Sequence, residues 1–215
     1  MTITRILGWL AAIGLIAGLA AGFGYAPREA IQGNVQRIMY LHVPSVLTAY
    51  LAFGLVLIGS IAYLATRRAG GDRPAGAAGE IGVLFTGLTI VTGSIWGKPT
   101  WGTWWTWDAR LTSTAVLFCV YVGYLLLRSL IEDADARGRY AAVVGILGAV
   151  NIPIVHFSLK WWRALHQPST ILRPNPSPID PAIGLALFVN WIAFTLLFAY
   201  FLSRRMEIAR LEEQM

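Results

Sequence analysis

Six stretches of this chain run without Asp, Glu, Lys or Arg for long enough to cross a bilayer, and that pattern leaves few folds open. They lie between Arg5 and Arg28, Arg37 and Arg67, Glu80 and Lys98, Arg110 and Arg128, Arg139 and Lys160, and Asp180 and Arg204. A hydrocarbon core is about 30 Å thick and takes roughly 17–25 apolar residues per helix. Inside lipid each backbone group must find its partner within the segment, so runs of this kind fold as helices; the alternating pattern of a barrel strand is missing. The expected fold class is all-α: a polytopic membrane protein of six spans forming one domain over residues 1–215. The first run, Ile6 to Tyr25, lacks a clear small-residue cleavage site and is read as a retained helix rather than a cleaved leader.

Composition agrees. The chain is 56% hydrophobic and 13% charged, against about 25% charged in an ordinary soluble domain, too little to coat a globule with polar surface. The formal charge of +6 is spread as short basic bursts between apolar runs, which is a membrane-loop pattern and not a nucleic-acid footprint. Cys119 is the only cysteine, so the chain has no internal disulfide, no CxxC redox pair and no CxxCH attachment motif. It also lacks a P-loop, an HExxH and a nucleophile elbow, which argues against its own ATP hydrolysis and against those hydrolytic chemistries.

Six spans place both termini on one side. With that side cytoplasmic, ten Lys and Arg lie inside and seven outside, the direction that the positive-inside rule favours. Only Glu29, Asp108 and Asp180 of the eleven acids lie outside. The outer face is therefore net basic against the topological bias, which suggests an anionic ligand there. Arg37, Lys98, Arg110, Arg163 and Arg173 are the candidate cations, each also readable as ordinary loop charge.

Seven of the nine tryptophans fall in two outer loops: Trp96, Trp101, Trp104, Trp105 and Trp107 between spans three and four, and Trp161 and Trp162 between spans five and six. An interfacial belt would share its indoles between leaflets. Concentration in one Gly/Pro-broken loop, residues 96–110, fits a platform for a large planar ligand better. His42 and His166 flank that loop, each two residues before a proline, and are expected near the water–lipid boundary. Imidazole is a common axial ligand of heme iron. His156 lies within the fifth span, where it is expected to pack or hydrogen-bond inside the bundle, with a ligand role left open. Asp108 directly precedes the fourth span, so it can cap that helix or orient the indole loop.

These residues resemble a known family. The segment Trp96 to Asp108, continuing Ala109-Arg110-Leu111-Thr112-Ser113, is similar to the WWD signature of heme-handling cytochrome c biogenesis proteins. The six-span layout, with RIMYLHVP at Arg37 to Pro44 and KWWRALHQP at Lys160 to Pro168, resembles the CcmC type. The resemblance implies that the Trp loop binds heme b non-covalently on the periplasmic face of the bacterial inner membrane. It further implies that His42 and His166 are axial ligands, that Trp96, Trp101, Trp104, Trp105, Trp107, Asp108, Trp161 and Trp162 surround the cargo, and that Arg37 and Arg110 meet its propionates. The implied task is transfer of heme to the chaperone CcmE, with covalent attachment to a chaperone histidine. CcmD would assist, and the ABC subunits CcmA and CcmB would supply ATP hydrolysis. No enzymatic activity and no nucleic-acid partner are expected. A heme-exporting transporter and a purely structural subunit of the ABC complex are the competing readings.

Overall fold

A computed structural model of the protein describes residues 2–162, 164–166 and 179–212; Arg163 and Arg173, two of the candidate cations, lie outside them. Six long helices are present: α1 Ile3–Ala20, α2 Met39–Thr66, α3 Ala69–Trp101, α4 Ala109–Leu130, α5 Ala134–Trp161 and α6 Pro181–Glu212. All six are long and apolar enough to cross a membrane, and no strand occurs among the described residues. The all-α, multi-pass expectation is met.

α2 is the centre of the bundle, packed on α3, α5 and α6, while α4 packs on α3 and α5 and α1 packs along α6. Small residues allow these approaches, as expected where lipid removes the hydrophobic drive between helices. A Cβ on Gly59 of α2 would lie 2.6 Å from the Gly71 carbonyl of α3, and one on Gly82 would lie 2.3 Å from the Phe53 ring. The Phe53 ring in turn stacks on Tyr121 of α4 at 3.7 Å between centroids. α1 is fastened to α6 by Asn190, whose amide donates to the Gly18 carbonyl at 2.9 Å.

Two expectations change in shape. The third span was bounded at Glu80 and Lys98, but α3 runs from Ala69 to Trp101; at 1.5 Å per residue its 33 residues exceed the hydrocarbon core. Its polar first turns are held by Asp72, which forms a bidentate pair with Arg128 of α4 at 2.6 and 2.9 Å. At the other end the helix continues through Pro99, where the Thr100 hydroxyl donates to the Trp96 carbonyl at 2.7 Å. Gly102, left-handed at φ 79°, ends it, as a C-terminal glycine does. The expected loop 96–110 is therefore a true loop only from Gly102 to Asp108, because Trp96–Trp101 belong to α3 and Ala109 opens α4.

His42 is the second change. It was expected to end an outer loop at the water–lipid boundary, yet it stands in the first turns of α2 and is only 8% exposed. A 3₁₀ turn over Asn34–Ile38 leads directly into α2, so the helix is already running when Pro44 arrives.

Candidate functional site

A cavity open to solvent lies between α2, α3 and α4 and is lined by both His42 and His166. Its walls are His42, Val46, Ala49 and Tyr50 from α2, the α3 face from Thr86 to Trp101, Arg110 to Leu117 from α4, Val155 from α5, and Trp105 and His166 from the connections. Thr86 and Trp101 are 15 positions apart on one helix, about 22 Å at 1.5 Å per residue. The site is a cleft descending into the membrane region, deeper than a platform at its surface.

His42 is held on three sides. Its Nδ1 lies 3.0 Å from the Thr92 hydroxyl of α3. Trp96 meets the ring edge-on at 5.7 Å between centroids. Gly93 lies beneath it, so close that an added Cβ would stand 3.0 Å from Cε1. Trp96 is itself anchored, since its indole N–H donates to Gln32 Oε1 at 2.8 Å. Gln32 belongs to a tight turn in which the Glu29 carboxylate accepts from the Ile31 backbone at 2.8 Å and also from that of Gln32. The first outer connection thus positions an indole of the second. On the far side, Trp101 approaches the His166 ring at 5.8 Å between centroids.

Trp96, Trp101, Trp105 and Arg110 line the cavity with the two histidines; the other described candidates lie elsewhere. Trp104 and Trp107 are largely exposed, as are Trp161 and Trp162, which meet each other edge-on at 5.7 Å. Arg37 closes the end of α1. Its guanidinium donates to the Gly22 carbonyl at 2.6 Å and the Ala26 carbonyl at 3.2 Å, where a π turn over Ala21–Tyr25 leaves acceptors free. Lys98 donates to the Gly102 carbonyl at 3.0 Å.

Asp108 is an N-cap. One carboxylate oxygen accepts from the backbone of Arg110 and of Leu111, both at 2.9 Å, and the other accepts from Thr106 at 3.1 Å. This cap fixes where α4 starts and so where Arg110 projects. Asp108→Ala should lower thermal stability by about 0.5–2 kcal/mol, while Asp108→Ser, which still caps, should retain most of it. Unfolding midpoints of the two variants in detergent measure this, and equal loss in both would remove the capping role.

Arg110 spans two helices: one arm donates to the His156 carbonyl at 2.9 Å, while its Nε is buried without an acceptor among the described residues. Trp105 Nε1 is likewise buried and unpaired. No ion pair among the described residues involves Arg110. A partly buried cation lacking a counter-ion is costly, and an anionic ligand in the cavity would relieve that cost. The residues present therefore fit a planar metal complex that needs two imidazoles and bears carboxylates. His156 enters this arrangement only as the carbonyl that accepts from Arg110, and its ring packs on Phe157 at 4.9 Å.

Gln32, Thr92 and Gly93 escaped the reading of the sequence. The signal for Thr92 was present: Thr86, Thr89 and Thr92 recur every third residue in an otherwise apolar span, which puts them on one helix face.

Comparison with known proteins agrees with this architecture. The family model for CcmC, heme exporter protein C, matches residues 1–215. The chain belongs to the CcmC family. It is 42% identical over 211 residues to the heme exporter protein C of Bradyrhizobium diazoefficiens, covering 96% of this chain and 80% of that protein. It is 40% identical over 201 residues to that of Escherichia coli K12, covering 92% and 81%. The Haemophilus influenzae protein of the same description is 37% identical over 190 residues, covering 88% and 76%. The WWD segment of this CcmC family member thus runs from the last turns of α3, across a short loop, into the first turn of α4.

Proposed function

We propose that the chain binds heme b non-covalently in this cavity, on the periplasmic face of the bacterial inner membrane, and delivers it to the chaperone CcmE for c-type cytochrome maturation. The observation that carries the reading is the convergence of two imidazoles, three indoles and a guanidinium with no ion pair among the described residues on one cleft, in a chain of the heme exporter protein C family. Heme is cargo here: it brings a planar iron complex with four nitrogen donors and two propionates. His42 and His166 are the axial ligands. Trp96, Trp101 and Trp105 wall the macrocycle, and Arg110 is the cation for a propionate, matching a carboxylate as guanidinium does.

The two ligands are mounted differently, and this suits a protein that must let go. His42 is set in a helix and gripped by α3, whereas His166 stands in irregular chain beyond α5. Handover begins at the His166 side, where exchange of one imidazole for a chaperone histidine disturbs no helix. CcmD and the CcmA–CcmB ABC subunits are the expected companions, with ATP hydrolysis on the CcmA–CcmB partner.

The test is purification of the chain together with its membrane-anchored chaperone. Expected are a visible heme spectrum on the chain and covalent heme on the chaperone. A chain that carries no heme and loads no chaperone would be a structural subunit. Heme accumulation in vesicles containing this chain alone, without chaperone loading, would make it a transporter.

A further inference from the structure

Building on the assignment of His42 as an iron ligand, we infer that Thr92 is a positioning residue that locks His42 into the tautomer with its proton on Nδ1, leaving the Nε2 lone pair for the metal.

The argument is a count of protons. The Thr92 hydroxyl lies 3.0 Å from His42 Nδ1 and 2.7 Å from the Leu88 carbonyl, with the Thr89 carbonyl at 3.3 Å. A hydroxyl has one proton and two lone pairs, and the carbonyls can only accept. If the hydroxyl proton goes to Leu88, the oxygen accepts from Nδ1–H and two hydrogen bonds form. If it goes to Nδ1 instead, the carbonyl bonds of the hydroxyl are forfeited and only one remains. The group is buried, Thr92 being 7% exposed and His42 8%, so water does not make up the difference cheaply. The first arrangement wins. The bond to Thr92 is made through Nδ1, and His42 lines the cavity.

Packing holds the ring in that plane. Gly93 leaves room for the imidazole and nothing more, and Trp96 stands edge-on to it. A ring flip within that plane would carry Nδ1 away from Thr92 and forfeit their hydrogen bond. An Nδ1–H bonded to an acceptor also raises the basicity of Nε2 as a donor to metal. Thr92 thus acts through His42 without touching the cargo.

The experiment uses the full chain in nanodiscs, labelled with ¹⁵N-histidine; three histidines give a readable spectrum. In the heme-free protein His42 should show a proton-bearing Nδ1 and a bare Nε2. Thr92→Val should move it to a mixture or to the Nε2–H form, while Thr92→Ser should keep it, with the His156 signals unchanged as a check on folding. With hemin as probe, Thr92→Val should lower affinity about 10–100-fold and raise the reduction potential of the bound iron, and Thr92→Ser should restore both. An Nε2–H tautomer in the wild type, or a valine variant with unchanged tautomer, would overturn the inference. Loss of hemin binding by the wild type would instead sink the iron-ligand assignment, and the heme-free spectrum would still decide the role of Thr92.

Discussion

Removing either imidazole should abolish the low-spin, six-coordinate heme spectrum of the purified chain. Loss of an outer-shell partner typically costs about 10–100-fold in metal affinity, and loss of His42 or His166 itself should exceed that. The expected result for His42→Gly or His166→Gly is weak, five-coordinate heme and a matching fall in chaperone loading. Because the cavity is open to solvent, added free imidazole should enter it and restore the six-coordinate spectrum in part. Rescue is informative: a variant that had merely misfolded would not recover. Unchanged spectra and loading in both variants would remove the two residues from the axial role.

The second large effect lies at the other end of the bundle and does not involve the cargo. Asp72 and Arg128 join α3 to α4 through a bidentate pair whose side chains are each 17% exposed. The guanidinium lies over Tyr124 at 5.6 Å, and Gly76 makes the space, since a Cβ there would stand 2.8 Å from it. Asp72→Ala leaves that cation without its partner, a loss that costs about 3–5 kcal/mol in a fully buried pair and less than that in this part-buried one. Replacing both by apolar residues, as in Asp72→Ala with Arg128→Leu, should cost clearly less than the single change. Denaturation in mixed micelles measures both. If the double variant were as unstable as the sum of the two singles, the pair would not be acting as a unit.

The fold was legible because its governing term is one-dimensional. A charge-free run either spans the hydrocarbon or does not, and each of the six windows holds one of the six long apolar helices. Their ends were less so. Polar and glycine-rich residues such as Ala69–Gly79 read as a loop by composition, yet they form helix where Gly59 and Gly71 let two backbones touch and Asp72 finds Arg128. Pro99 read as a loop breaker, but the Thr100 hydroxyl sustains the last turn. In the candidate site, the histidines and the Trp cluster stood out by residue type alone. The sorting of the tryptophans did not. Trp105 lines the cleft while Trp107, two positions on, is 79% exposed, and both are the same residue in the same loop.

What the chain's own order of residues determined is therefore the number of spans, their helical state and the chemical kinds gathered at one end, because hydropathy and residue identity are local properties. Tertiary structure alone decided which candidates meet. Arg37 turned to the carbonyls at the end of α1, Arg110 bridged to α5, and Thr92 came to face His42 from fifty residues away. Those outcomes depend on how helices rotate and cross, and that is set by close contacts among small residues on different spans, which no single segment encodes.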